Sequence, residues 1–408
     1  MKLKIHSSIK VKELLFYIAI IFYCAEYYIS ASVLDYKLPK TFLTLLQLIV
    51  LLCLLMKWIM TERYTLKKLV SMFVIMISSV IVATTGNYIS LLLFVSIVFL
   101  STEIDFDKII QLLEINIWMW LIIIILLCKV GFLEDYTYWH NLGTISTLAH
   151  SWGFKYYGWL GYTAMALSMM WVYRHKEINV LQGITIIILN FIFYKVHTTN
   201  LPLILTIGFV VLCYLSENAL ISKLMDRVFK ILAWVTPFGL YAGTWILIIL
   251  YKKGKFLIEF SNLNTIISRI KYSAQAIEIY GLHLFGTHVT QIGNVDIYYR
   301  NASSTNAIYI DSGFVYSTIA YGLILTVIFL IIYTLIGVYL SKKNNYILSI
   351  WLLMMMAACC VNNFMCDIIN NPIILLLPSV VLSKNKNSYM QKKETQKELR
   401  DKKNVKKE

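Results

Sequence analysis

The chain has 408 residues, 59% of them hydrophobic and 14% charged, whereas soluble domains run near 45–50% and about 25%. A mean hydropathy of +0.69 excludes a soluble globular class. The net charge of +15 would suit a nucleic-acid binder, but the bases fall between long apolar runs, so no nucleic acid is expected as a partner.

A helix crosses the hydrocarbon with about 20 apolar residues. In chain order, such runs predict spans over 14–33, 39–58, 68–85, 88–102, 115–133, 157–173, 178–194, 200–216, 231–251, 312–341, 346–365 and 368–383, about twelve in all. The first run has no small-residue cleavage site behind it and reads as a retained span. The predicted fold is therefore all-α: one membrane domain over 1–383, followed by a basic, solvated tail over 384–408.

Sidedness follows from the bases. Of the 37 Lys and Arg, 26 lie in 1–13, 57–68, 103–114, 174–177, 217–230, 342–343 and 384–408. Those segments, and both termini, are expected on the cytoplasmic side. Two long outer loops remain, 134–156 and 252–311. Five of the seven histidines (His140, His150, His197, His283 and His288) fall on the outer side, so chemistry is expected there. The seven cysteines sit in or beside apolar runs, with neither metal-site spacing nor a disulfide framework.

The first outer loop, EDYTYWHNLGTISTLAHSWGFKYYGWLG, is dense in aromatics. It reads equally as an interfacial belt or as a sugar-facing surface. In the second case Trp152 offers a flat face to a pyranose ring, and Lys155 and His150 meet an anionic group.

In the second loop, apolar residues recur at a helical period over 264–281, which predicts an amphipathic surface helix. Arg269, Tyr272, Ser273 and Ala276 share one face of it; Lys271, Gln275 and Glu278 share another. Arg269 reads as a snorkelling cation or as a rigid fork for a lipid pyrophosphate. His283, Gly286 and His288 follow. Asp311 opens the next span, either as a helix cap or as a functional carboxylate.

Polar residues within the spans are few. Glu26 and the cluster Asn362, Asn363, Asp367, Asn370 and Asn371 fall near outer ends, where they line a cavity or hold helices together. No nucleotide-binding, GxSxG or HExxH pattern occurs. An activated lipid is the donor these features suggest.

Three segments resemble one family, the Wzy-type polysaccharide polymerases, relatives of the O-antigen ligases. AHSWGFKYYGWLG resembles the family's first-loop pattern, in which a base and Ser-Leu-Gly-Phe precede a Pro-Asn pair. Here Tyr156 and Tyr157 replace that pair, the loop's arginine is absent, and His150 or Lys155 is left to stand in for it. ISRIKYSAQAIEIYGLHLFGTH resembles the family's Ser-Gly-Arg helix and Leu-Phe-Gly turn, with Arg269 at the arginine. YIDSGFVYSTIAYGLI resembles the motif opening the next span, with Asp311 at the ligases' catalytic histidine.

The resemblance implies a metal-independent enzyme without cofactor that joins oligosaccharide repeats carried on undecaprenyl pyrophosphate, by inverting glycosyl transfer. Arg269, helped by Lys271 or Lys155, would offset charge on the departing pyrophosphate. Asp311, His288, His150 or His283 would take the proton from the attacking hydroxyl. Tyr272 and Trp152 would contact substrate. A chain-length regulator and a flippase are the partners implied. The alternatives are a flippase, for which an internal repeat is expected, and a ligase, for which histidine is expected in place of Asp311.

Overall fold

The computed structural model describes residues 7–60, 66–86, 88–142, 145–254, 264–291 and 309–380. The basic tail and the last residues of the twelfth predicted span lie outside them. The helices, in order, are α1 (Ser7–Ala31), α2 (Lys40–Ile59), α3 (Leu66–Gly86), α4 (Ile89–Leu100), α5 (Phe106–Lys129), α6 (Gly158–His175), α7 (Val180–His197), α8 (Asn200–Ser216), α9 (Ala219–Lys252), α10 (Asn264–Tyr280), α11 (Gly313–Lys342) and α12 (Tyr346–Cys359).

Six of these, α1, α2, α5, α7, α9 and α11, are long and apolar enough to cross a bilayer, and α4, α8, α12 and the end of α3 are shorter apolar helices. In lipid a backbone must satisfy its own polar groups, which is why apolar runs of this length become helices. The chain is an α-helical membrane protein. Burial separates its interior from its lipid face. From Leu93 to Leu100 every residue of α4 is buried, whereas α9 carries exposed Leu224, Ile231, Trp234, Val235 and Ile246.

Two predicted helix starts move furthest. The helix expected to start at 115 begins at Phe106, where the Asp105 side chain accepts the Asp107 amide at 3.1 Å. The helix expected over 231–251 begins at Ala219, behind an Asn218 cap.

One end of the bundle is knit by polar contacts between helix termini. Lys57, 2% exposed, donates to the carbonyls of Leu100 and Thr102 and lies 4.5 Å from the centroid of the Phe16 ring. A buried ammonium there closes carbonyls that the end of α4 leaves unpaired. Arg174 pairs with Glu114 at 2.6 Å at the same end.

The opposite end carries the loops. Between α5 and α6, where no strand was expected, β1 (Thr137–Leu142) pairs antiparallel with β2 (Ile145–His150), Thr137 facing His150. Asp135 closes the base of this hairpin by accepting the amides of Ser151 at 3.0 Å and Trp152 at 2.8 Å. A backbone seam then ties the hairpin's exit to the end of α1. Val33 donates to the Gly153 carbonyl and Lys155 to that of Ala31, both at 2.9 Å.

Helix α11 is interrupted near its start: a widened turn over Ser317–Tyr321 is followed by Gly322 with φ of 85° and ψ of 163°, outside the helical region. The segment after α10 docks on that widened turn. Leu323 and Ile324 donate to the carbonyls of His283 and Leu284, at 3.1 and 3.2 Å, and Thr287 donates to that of Ile319 at 3.0 Å. Gly286 (φ 76°) makes this approach possible, because a Cβ there would lie 2.1 Å from the Ala320 carbonyl oxygen.

The twelfth predicted span is not a helix across its first half. After α12 the chain turns irregularly to Asn371, and Pro372–Leu376 forms one short 3-10 run. Asp367 holds this turn. Its carboxylate accepts the Ile369 and Asn370 amides (2.9 and 3.0 Å), the Asn370 side chain (2.6 Å) and the Tyr27 hydroxyl (2.7 Å). Pro372 cannot supply the amide a continuous helix would need. Irregular backbone is tolerated at this depth because it is buried in protein.

Candidate functional site

A cavity of about 300 Å³ lies among the loop-side ends of α1, α6, α11 and α12, at the lower end of ligand-pocket volumes (roughly 300–1,000 Å³). Its wall is aromatic and polar. Tyr23 and Tyr27 come from one face of α1 at i and i+4; Tyr156, Trp159 and Tyr162 come from the start of α6; Tyr309 and Tyr321 flank the first turns of α11. Glu26, Gln291, Asn362, Asn363, Asp311 and Asp367 supply polar groups between the rings.

Asp311 stands at its edge. Ser312, not Asp311, caps α11, its hydroxyl accepting the Val315 amide at 3.4 Å and donating to the Cys359 carbonyl at 3.4 Å. The next residue is pinned too, since Gly313 donates to the Asn362 carbonyl at 3.1 Å. A Cβ at Gly313 would come within 2.7 Å of that oxygen. The carboxylate of Asp311 is thereby released from capping and accepts a hydrogen bond from Nε of Arg269 at 3.3 Å.

The two side chains are 18% (Arg269) and 25% (Asp311) exposed. Burial pushes the Asp311 carboxyl above the ordinary carboxylate range, and the Arg269 charge draws it part of the way back.

On the other side of the pair lies an apolar groove of about 480 Å³ between α9 and α10. Gly239, Leu240, Gly243 and Ile246 to Ile248 form one wall; Arg269, Ile270 and Ser273 form the other, with Ser312 and Cys360 also lining it. The Arg269–Asp311 pair thus stands between a polar aromatic cavity and an apolar groove.

Of the residues predicted for the site, Arg269 and Asp311 are the ones brought together. Lys155 is drawn to Asp35, with its ammonium 4.6 Å from the Tyr36 ring centroid. His150 bonds Asp135 at 2.7 Å beside the hairpin base. His283 bonds the Tyr280 carbonyl at 3.0 Å and lines a separate cavity with Tyr241 and Trp245. His288 bonds the Gly86 carbonyl at 2.7 Å and stacks on Tyr88. Trp152 lies under Lys129, 4.7 Å from its ammonium. Lys271 and Tyr272 are exposed, whereas Ile270, Ser273, Ala274 and Ala276 form the buried face of α10.

Of the cavity's tyrosines, the sequence drew attention to Tyr156 but not to Tyr23, Tyr27, Tyr162, Tyr309 or Tyr321. The available signal was a tyrosine pair at i, i+4 flanking Glu26, the one acidic residue in the interior of the first apolar run.

Fold and site together define a multi-helix membrane protein with a half-buried ion pair at the edge of a polar cavity. Comparisons with protein-family models, with curated proteins and with solved structures return no match to this chain.

Proposed function

We propose that this protein polymerises lipid-linked oligosaccharide repeats at the outer face of a bacterial cell membrane, by glycosyl transfer from a polyprenyl pyrophosphate. The observation that carries this reading is the position of the Arg269–Asp311 pair, with the polar cavity on one side and the apolar groove on the other. A donor that is half sugar and half isoprenoid needs two such compartments with a cation where they meet.

In this reading the isoprenoid lies in the α9–α10 groove and the diphosphate meets Arg269. The sugar enters the cavity. The attacking hydroxyl oxygen forms a bond to the anomeric carbon as the bond to phosphate breaks, and the pyrophosphate leaves with the electron pair. Its growing charge is met by the guanidinium, which suits a phosphate's paired oxygens better than an ammonium does. Asp311 receives the hydroxyl proton. Its pKa, raised by burial and drawn part of the way back by Arg269, makes it a stronger base than an exposed aspartate. His150, His283 and His288 are each engaged away from the pair, which favours the carboxylate over them.

The test is genetic complementation with Arg269→Ala, Arg269→Lys and Asp311→Asn, reading surface polysaccharide on gels and lipid-linked repeats by mass spectrometry. All three are expected to lose long polymer and accumulate single repeats on the outer face. Normal chain length in both Arg269 variants would reject the assignment, and repeats trapped on the inner face would point to a flippase.

A further inference from the structure

Charge is divided unevenly across the ion pair. Every charged side chain among the described residues of the cavity wall is acidic: Glu26, Asp311 and Asp367. Arg269 lines the groove instead, and Lys155, the cation expected to meet an anionic group, is held by Asp35. A buried acceptor stands open beside them. Gln47 holds Oε1 of Glu26 at 2.9 Å. The buried Oδ1 of Asn363 has no partner among the described residues.

We infer that the cavity takes a sugar unit without negative charge, rich in hydroxyl, amide or ammonium donors, and rejects uronic acids and phosphate-bearing sugars. The inference rests on the reading above, since it names the substrate class of that same site. An added carboxylate would meet like charge in a partly desolvated space, a repulsive device of the kind that sets specificity. The same asymmetry orients the donor. A diphosphate is repelled from the cavity and attracted to the groove side, so only the sugar end can enter. The small volume agrees with room for a sugar unit rather than a whole repeat.

The test uses the full-length protein in lipid nanodiscs and saturation-transfer NMR with four methyl glycosides: glucose, N-acetylglucosamine, glucosamine and glucuronic acid. The first three are expected to receive saturation, and the glucuronide to bind about fivefold or more weakly, the factor that ~1 kcal/mol of like-charge repulsion produces. Glu26→Gln keeps the contact to Gln47 and should narrow the gap. Equal binding of the glucuronide, or no binding of any glycoside, overturns the inference. If the glucuronide binds well while Arg269→Ala still abolishes polymer, the inference fails and the polymerase reading stands. If uncharged glycosides are selected while Arg269→Ala makes normal polymer, the polymerase reading fails and the selectivity stands.

Discussion

Replacing Gly286 by alanine tests how tightly the segment after α10 is locked to α11. The residue has φ of 76°, where an L side chain costs roughly 1–2 kcal/mol. The added Cβ would also sit 2.1 Å from the Ala320 carbonyl oxygen and 2.8 Å from the Gly322 amide nitrogen. Both are backbone atoms, so relief requires the segment to lift. Lifting breaks the bonds Thr287 to Ile319, Leu323 to His283 and Ile324 to Leu284, each worth about 0.5–1.5 kcal/mol. The whole effect is therefore roughly 2.5–6.5 kcal/mol.

Gly131→Ala separates the contributions. Gly131 has nearly the same φ, 79°, but nothing within 4 Å of its Cβ position, so only the backbone cost of about 1–2 kcal/mol remains. The assay is the temperature at which each variant loses its monodisperse peak in mild detergent. Gly286→Ala should fall several degrees further than Gly131→Ala. Equal shifts would refute the reasoning, because they would mean the close approach contributes nothing.

Polymer synthesis should fall as pH drops through the Asp311 pKa, which burial places above the ordinary aspartate range. Arg269→Gln, assayed by proton titration of the purified protein because its activity is expected to be lost, should move that transition to still higher pH; a downward shift would show that the pair is not coupled. Lys57→Met should remove the ammonium that donates to the Leu100 and Thr102 carbonyls, costing about 1.5–3 kcal/mol for each charge-assisted bond lost. It should lower thermal stability without changing polymer length in the protein that still folds. Lys155→Ala should retain polymer while losing stability, and a double-mutant cycle with Asp35→Ala should return a coupling of about 0.5–3 kcal/mol; loss of polymer at normal stability would give Lys155 a chemical role instead.

How much was legible depended on whether a signal was local. Most of the apolar runs announce their helices, because length and hydropathy decide them within one segment. The helix over Asn264–Tyr280 was visible for the same reason, from its periodic Ile and Ala. The fates of Lys155 and His150 were not visible. Their carboxylates, Asp35 and Asp135, are chosen by the seam between α1 and the hairpin, which no local pattern encodes. Asn370, Asn371 and Pro372 read as interruptions in a span; that they form a buried turn depends on Tyr27 and Tyr333, which reach them from α1 and α11. The hairpin did leave a trace, the turn residues Asn141 to Thr144 between two short β-prone stretches, masked by the expectation of a loop. Arg269 and Asp311 stood out by type, but which of them would cap, snorkel or pair was settled by Ser312 taking the cap.

Helix α9 has 34 residues, about 51 Å at 1.5 Å per residue, against a hydrocarbon layer about 30 Å thick. Only 11% of its apolar window is buried, and Pro237 interrupts its hydrogen bonding just before Gly239 and Gly243 reach the groove. One wall of the groove is therefore a long, proline-containing helix whose apolar window largely faces the surrounding solvent, and that solvent is lipid. Bilayer thickness becomes a working part of the molecule, and a short-chain detergent that leaves every other contact intact would reshape the groove.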